Sequence, residues 1–474
     1  DANSFARNNG EYFPASPNFL NVFAAQAAAL GLTWAPYFYS VELSTSTVTY
    51  QNSDVPGFIG RVADDFAVQT VDGSFLDNPL PYCPQAEVCD INVIPDVSVN
   101  RTLDEGTPFV SAYTRDVLSR LQSDTLGGAS GVYLDVVQSE AKVSYNPAPE
   151  LEGFHPVGGG AYWTAGRREL VHDLRDEFRG NLGVPEYFVL GEAPYEPLIG
   201  EIEFTYGYHG GFRTLDGARA VVPLFQTVYH DYQRTGSILT LDVNPSLANL
   251  LFNPNIWQAS RQVFAANLWM GHAPYCTTTV TPLTFALRTN PLVLPFPFFQ
   301  EHLDMARRYV ELLKRDEVRE LVVFGQRLRA PQTDSGRVFA GNFFATNLNP
   351  LEEDQPAVYA ALFGTPGEDG ELGLLVMNWT DGDDPFVDQV TGNILYDPFQ
   401  FVPGPQNVRV TLSREEYGLA AQQYRVREYV AGAAAPTEIA AGLDFTQPEA
   451  FLDLTVPERS ARFFKIDRMP PAGL

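Results

Sequence analysis

Two short apolar runs, each closed by a carboxylic acid, organise the hydrophobic pattern of this chain: Gly131-Val132-Tyr133-Leu134 before Asp135, and Tyr187-Phe188-Val189-Leu190-Gly191 before Glu192. Runs of this length, bounded by turn residues, read as buried strands of a parallel sheet. A helical stretch from Pro17 to Leu30 stops at Gly31, and Thr33 to Tyr39 follows as a further strand. Tyr113 to Leu126 has a helical period and is halted by Gly127-Gly128. A charged amphipathic helix is expected over about Tyr162 to Phe178, behind the glycine-rich Gly158-Gly159-Gly160. Weaker strand signals lie at Ile202 to Tyr206 and Val221 to His230, and helical ones at Ile256 to Leu268 and His302 to Lys314.

Alternation of helix and strand with short links predicts an α/β fold, a (βα)8 TIM barrel over residues 1–330. The stretch 41–107 is rich in Pro, Asp, Ser and Asn and poor in period, as expected of a long loop insertion or subdomain over a site. About six of the eight strands are legible. The first strand is therefore expected upstream of Asp1, with a preceding chain segment or self-association completing the barrel. Beyond residue 330 the texture changes to short strand-like runs at Val358 to Phe363, Leu372 to Asn378, Val408 to Leu412, Tyr424 to Tyr429 and Ala461 to Ile466. Gly, Pro and Asp separate them, which predicts an antiparallel β-sandwich over 331–474.

Composition narrows the partners. A net charge of −27, from 31 basic and 58 acidic residues, repels a polyanion, so nucleic acid is excluded as the natural partner. The most apolar window, Val22 to Phe38, is broken by Gly31 and Pro36, so no transmembrane segment is expected. An extracellular or cell-surface location is expected; the chain opens at Asp1 with no signal-peptide pattern, which a secreted protein would have lost. Cys83 and Cys89 are close enough for a small disulfide loop, leaving Cys276 over. The six histidines are scattered without zinc spacing, so neither a metal nor a cofactor is expected. Asp381-Gly382-Asp383-Asp384 and Glu368-Asp369-Gly370-Glu371 carry oxygen ligands but match no full calcium loop and read as solvated turns. Asn100-Arg101-Thr102 and Asn378-Trp379-Thr380 match the glycosylation acceptor pattern, which recurs by chance.

Acids at the ends of neighbouring barrel strands emerge on the C-terminal face, where two of them can flank one glycosidic bond. Asp135 and Glu192 are the candidate catalytic pair. Glu196, Glu201 and Glu203 follow closely, and a slip of register would hand the second role to one of them. Trp34, Tyr37, Tyr133, Trp163 and Tyr195 are candidates to stack on sugar faces, and His230 and Asp231 to bond sugar hydroxyls. For each ring the competing fate is burial in the core.

The order of Tyr12-Phe13-Pro14, Cys83-Pro84, Gly131 to Asp135, Gly158-Gly159-Gly160, Leu190-Gly191-Glu192 and Pro223 to His230 resembles a family of bacterial glycosidase-like TIM barrels described as a domain of unknown function. The likeness covers roughly residues 10–330. Those barrels are similar to endo-α-N-acetylgalactosaminidases and the α-amylase clan, in which the acid ending strand four is the nucleophile and the acid ending strand five the acid/base. The resemblance implies Asp135 as nucleophile and Glu192 as acid/base, with retention at an α-linked sugar of an oligosaccharide or glycoconjugate. One departure stands out: the α-amylase pattern has Arg two positions before the nucleophile, where this chain has Tyr133. The rival expectation is a non-catalytic carbohydrate-binding or cell-surface structural protein on the same barrel.

Overall fold

The computed structural model describes residues 17–38, 40–45, 48–78, 100–124, 128–134, 144–146, 161–192, 196–206, 228–230, 232, 234–238, 265, 268, 269, 273–275, 305, 307–340, 353–365, 370–383 and 402–469. The chain divides into two compact units, Asp1–Tyr206 and Gly207–Leu474.

In the first unit, helix α1 (Pro17–Ala29) precedes strand β1 (Tyr37–Phe38). The strand is shorter than the apolar run predicts, because Pro36 has no N–H and gives the ladder only its carbonyl, which accepts the Tyr133 amide at 2.8 Å. Strands β2 (Glu42–Ser44), β3 (Asp77–Asn78) and β4 (Asn100–Thr102) form a separate antiparallel sheet in the order β2-β4-β3. The stretch 41–107 thus carries a ladder of its own. Arg101 ties it together: Nε meets Asp77 at 2.9 Å, a terminal nitrogen donates to the Tyr50 hydroxyl at 2.7 Å and pairs with Asp64, and the guanidinium lies 4.0 Å from the Phe75 ring centre.

Helix α2 (Pro108–Asp124) begins before the predicted Tyr113. Pro108 occupies a first-turn position where no N–H is needed, and Thr107 Oγ1 donates to the Asp104 carbonyl at 2.7 Å just ahead of it. Strand β5 (Gly131–Leu134), helix α3 (Ala161–Arg175) with a closing π turn over Asp176–Asn181, and strands β6 (Phe188–Glu192) and β7 (Phe204–Tyr206) follow. The strands run parallel in the order β1-β5-β6-β7. Val132, Leu134 and Val189 share one buried cluster with Tyr113, Val117, Leu118 and Leu121 of α2 and Leu170, Val171 and Leu174 of α3. Helices therefore cover one face of this sheet. Tyr133 and Leu190, of the opposite strand parity, are only half-buried.

In the second unit, β8 (Arg234–Ile238) pairs in parallel with β9 (Ala273–Tyr275). The strand expected over Val221 to His230 is corrected at its end, where Val228 and Tyr229 are helical. Helix α4 (Asp316–Phe324) precedes β10 (Gln326–Leu328), β11 (Gln332–Thr333), β12 (Arg337–Ala340), β13 (Glu353–Pro356), β14 (Val358–Gly364) and β15 (Leu372–Asn378). Strands β16 (Gln406–Ser413), β17 (Gln423–Val430), β18 (Thr437–Asp444), β19 (Glu449–Val456) and β20 (Ser460–Arg468) complete it. Antiparallel ladders give a six-stranded sheet, β10-β14-β15-β20-β17-β18, a three-stranded sheet, β11-β16-β19, and the pair β12-β13.

The unbroken apolar runs of β14 and β15 follow from burial on both faces. Tyr359, Ala361, Phe363, Leu375 and Met377 cluster with Met305, Tyr309, Leu312 and Leu321 from the helices. Their alternates Val358, Ala360, Leu362, Leu374 and Val376 cluster with Val408, Val410, Leu452 and Leu454 of the three-stranded sheet.

At the end of β15, Asn378 is fully buried, and its sequon is committed to structure. Its amide donates to the carbonyls of Gly404 at 2.7 Å and Val456 at 3.1 Å, and its oxygen accepts from the Thr380 amide at 3.0 Å and hydroxyl at 2.8 Å. A glycan on this nitrogen is incompatible with the folded chain. Asn378→Ala removes four buried hydrogen bonds at once and is expected to lower stability by about 2–4 kcal/mol in urea denaturation. A loss below about 0.5 kcal/mol would contradict the network.

Candidate functional site

The parallel register aligns the candidate strands row by row. Tyr37, Tyr133, Leu190 and Phe204 stand in one row, and Phe38, Leu134, Gly191 and Thr205 in the next. Glu192, the last residue of β6, pairs with Tyr206, the last of β7. Asp135 is the residue after Leu134; it lies outside the described residues, as do Tyr195, Asp231 and the cysteines Cys83, Cys89 and Cys276. Trp163 belongs to the first turn of α3. Sequence reasoning passed over Tyr206, although it closes the Ile202 to Tyr206 run as Glu192 closes its own.

Two rivals of Glu192 are held in ion pairs. Glu201 takes Arg168 at 2.8 Å, His172 at 3.1 Å and Arg175 at 3.8 Å. Burial disfavours its charged form, but the hydrogen bonds from Arg168 and the charges of His172, Arg168 and Arg175 outweigh this and hold its carboxyl below the ordinary value. Glu203 accepts Arg175 at 2.6 Å and Arg179 at 2.9 Å through one oxygen, and the Val189 amide at 2.8 Å through the other. Both bind α3 and its π turn to the neighbouring strands. Glu196 is exposed at the start of a 3-10 turn, Glu196–Leu198, whose last residue is buried in the core.

Two other candidates sit in packing environments. Trp34 is buried with Ala24, Ala27 and Ala129. His230, in the second unit, is buried with its Nε2 2.9 Å from the Val322 carbonyl and its ring 5.4 Å from that of Phe363.

A buried ion pair supports the sheet end. Glu105, in the loop before α2, accepts Arg167 of α3 through Oε2, at 2.8 Å from Nε and 2.7 Å from a terminal nitrogen, both side chains being fully shielded. Each helix leads into the next parallel strand, so both helix N-termini lie at the end of the sheet where β5 and β6 finish. Gly166 makes this approach feasible, since a Cβ there would fall 2.0 Å from the Glu105 carbonyl oxygen.

Among the described residues, no group of three or more His, Cys, Asp or Glu side chains is placed to hold a metal, and no helix is long and apolar enough to cross a membrane. Within the two acidic turns, Asp381 pairs with Arg459 at 3.2 Å and Glu371 with Lys465 at 2.6 Å.

Parallel strands backed by helices, with an acid closing a strand, define the first unit as an α/β fold. The chain belongs to the family described as Domain of unknown function (DUF6259), whose model matches residues 1–237. No curated protein matches it. Among solved structures, its fold is similar to that of the noncanonic maltogenic α-amylase AmyB from Thermotoga neapolitana, with 11% identity over 98% of this chain and 84% of that one and a TM-score of 0.50. Isomaltulose synthase from Klebsiella sp. LX3 follows at 12% identity over 95% and 86%, with a TM-score of 0.47. A GH27 β-L-arabinopyranosidase from Geobacillus stearothermophilus shows 10% identity over 96% and 78%, with a TM-score of 0.46.

Proposed function

We propose that this chain hydrolyses an α-linked oligosaccharide or glycoconjugate with retention, Asp135 acting as nucleophile and Glu192 as acid/base. The register of β5 on β6 carries this reading: Leu134 stands opposite Gly191, and in sequence an acid follows each at once. Neighbouring strands lie about 4.8 Å apart. A retaining pair works at about 5–5.5 Å, whereas an inverting pair needs roughly 6.5–9.5 Å to admit water. Positions 135 and 192 also share parity with Tyr133 and Leu190, not with the residues that join the helix cluster. The engagement of Glu201 and Glu203 by arginines supports Glu192 further.

In the proposed reaction Glu192 protonates the leaving oxygen while Asp135 attacks the anomeric carbon; Glu192 then takes a proton from the water that releases the sugar. Tyr37, Tyr133, Trp163, Tyr195 and Tyr206 are the proposed ring faces, with Asp231 a hydroxyl acceptor. Trp34 and His230 are assigned to packing. Closure into a (βα)8 barrel over 1–330, a β-sandwich over 331–474 and an extracellular or cell-surface location belong to the same proposal.

The test is hydrolysis of a panel of α-linked oligosaccharides, followed by proton NMR of the first product before mutarotation. The α anomer is expected. First release of the β anomer, or no cleavage of any member, would overturn the reading; glycan binding without turnover would instead mark the non-catalytic rival.

A further inference from the structure

The geometry points to a second carbohydrate-binding site, on the solvent face of the three-stranded sheet β11-β16-β19, that takes a neutral oligosaccharide. It rests on this sheet alone and is independent of the acid pair. A depression of about 330 Å³ there is lined by Asp334, Asn407, Val408, Arg409, Asp453, Leu454 and Thr455. Asn407, Arg409, Asp453 and Thr455 stand on the outward positions of β16 and β19, whose alternates are buried in the core between the sheets, and Asp334 directly follows β11.

These groups are held in place before any ligand arrives. Arg409 and Asp453, opposite each other in the ladder, form a two-pronged pair at 2.7 and 3.0 Å. Thr455 donates to the Asn407 oxygen at 2.8 Å, which leaves the amide nitrogen of this exposed side chain as the donor for a ligand. Asp334 Oδ1 accepts the Arg409 amide at 2.6 Å. One row further along, the Phe451 ring is about half exposed and carries the Arg409 guanidinium 5.5 Å from its centre. Planar apolar surface beside a fixed row of carboxylate, guanidinium and amide matches a sugar ring, which presents C–H faces to an aromatic and hydroxyls to forked polar groups.

Charge decides against an anionic ligand. Asp334 and Asp453 against Arg409 leave one net negative charge, and the single guanidinium is already neutralised by Asp453, so an anion finds no free cation among the lining residues. A neutral hydroxyl-bearing ligand accepts and donates here without the desolvation penalty of a charge.

The experiment is native gel electrophoresis of the full chain through gels holding amylopectin, galactomannan, hydroxyethylcellulose or, as a polyanion, dextran sulfate. Wild type is expected to be retarded by at least one neutral polysaccharide. Phe451→Ala and Asn407→Ala should each weaken that retardation roughly tenfold in apparent affinity, the effect of one lost ring contact or one lost oriented donor. Both positions are solvent-facing, and unchanged melting temperatures verify their folding. Asp135→Asn combined with Glu192→Gln should be retarded like wild type, so a failure of the hydrolytic reading leaves this result standing. Four outcomes overturn the site: no retardation of wild type by any neutral gel, both surface variants retarded as strongly as wild type, loss of retardation in the double acid variant, or retardation by dextran sulfate alone.

Discussion

Asp135→Asn and Glu192→Gln are each expected to lower kcat by roughly a thousandfold or more while leaving the melting temperature within a few degrees of wild type. The two losses should differ in character. An aryl glycoside with a very acidic phenol departs without a proton, so Glu192→Gln should cleave it far better than an unactivated sugar, relative to wild type. Asp135→Ala should be rescued by azide, which replaces the missing nucleophile and leaves a glycosyl azide of inverted configuration. Glu203→Gln provides the contrast: it removes the charge that Arg175 and Arg179 share and one of the two oxygens that accept from them and from the Val189 amide, and so should weaken the fold rather than the chemistry. Full turnover in either acid variant, or equal loss on both leaving groups for Glu192→Gln, would end the assignment.

The Glu105–Arg167 pair gives the largest expected effect on stability. Arg167→Ala takes the guanidinium away from a fully shielded carboxylate and should destabilise the first unit by about 3–5 kcal/mol. Removing both charges, as Glu105→Leu with Arg167→Met, should recover most of that loss, because neither ion then needs desolvating without its partner. Denaturant unfolding of the four members of the cycle measures the coupling directly. Single losses under about 1 kcal/mol, or a double variant as unstable as the sum of the singles, would show that the pair carries no such weight.

The contrast between this pair and the strands explains what the sequence discloses. β5, β6, β14 and β15 are legible because their apolar content records burial on the spot, residue by residue. α2 is legible in its body but not at its start, since Thr107 and Pro108 act through a turn that periodicity does not sense. β19 alternates strictly in burial, yet it falls outside the predicted runs because Glu449, Asp453 and Thr455 dilute its apolar content. The candidate acids are visible as strand-end residues, but choosing Glu192 over Glu201 and Glu203 takes the third dimension. Their arginine partners lie 24 to 33 residues away in sequence and adjacent in space. Glu105 and Arg167, 62 positions apart, leave no trace in local pattern at all.

The central place of β20 has a consequence for how the second unit is made. It is hydrogen-bonded to β15 on one side and β17 on the other, so the six-stranded layer has a gap down its middle until Ser460–Arg468 arrives. During synthesis on the ribosome, the earlier strands emerge with two unsatisfied edges and wait for Ser460–Arg468 to join them. A nascent chain stopped short of Ser460 would hold two half-sheets, each exposing an open ladder to neighbouring nascent chains.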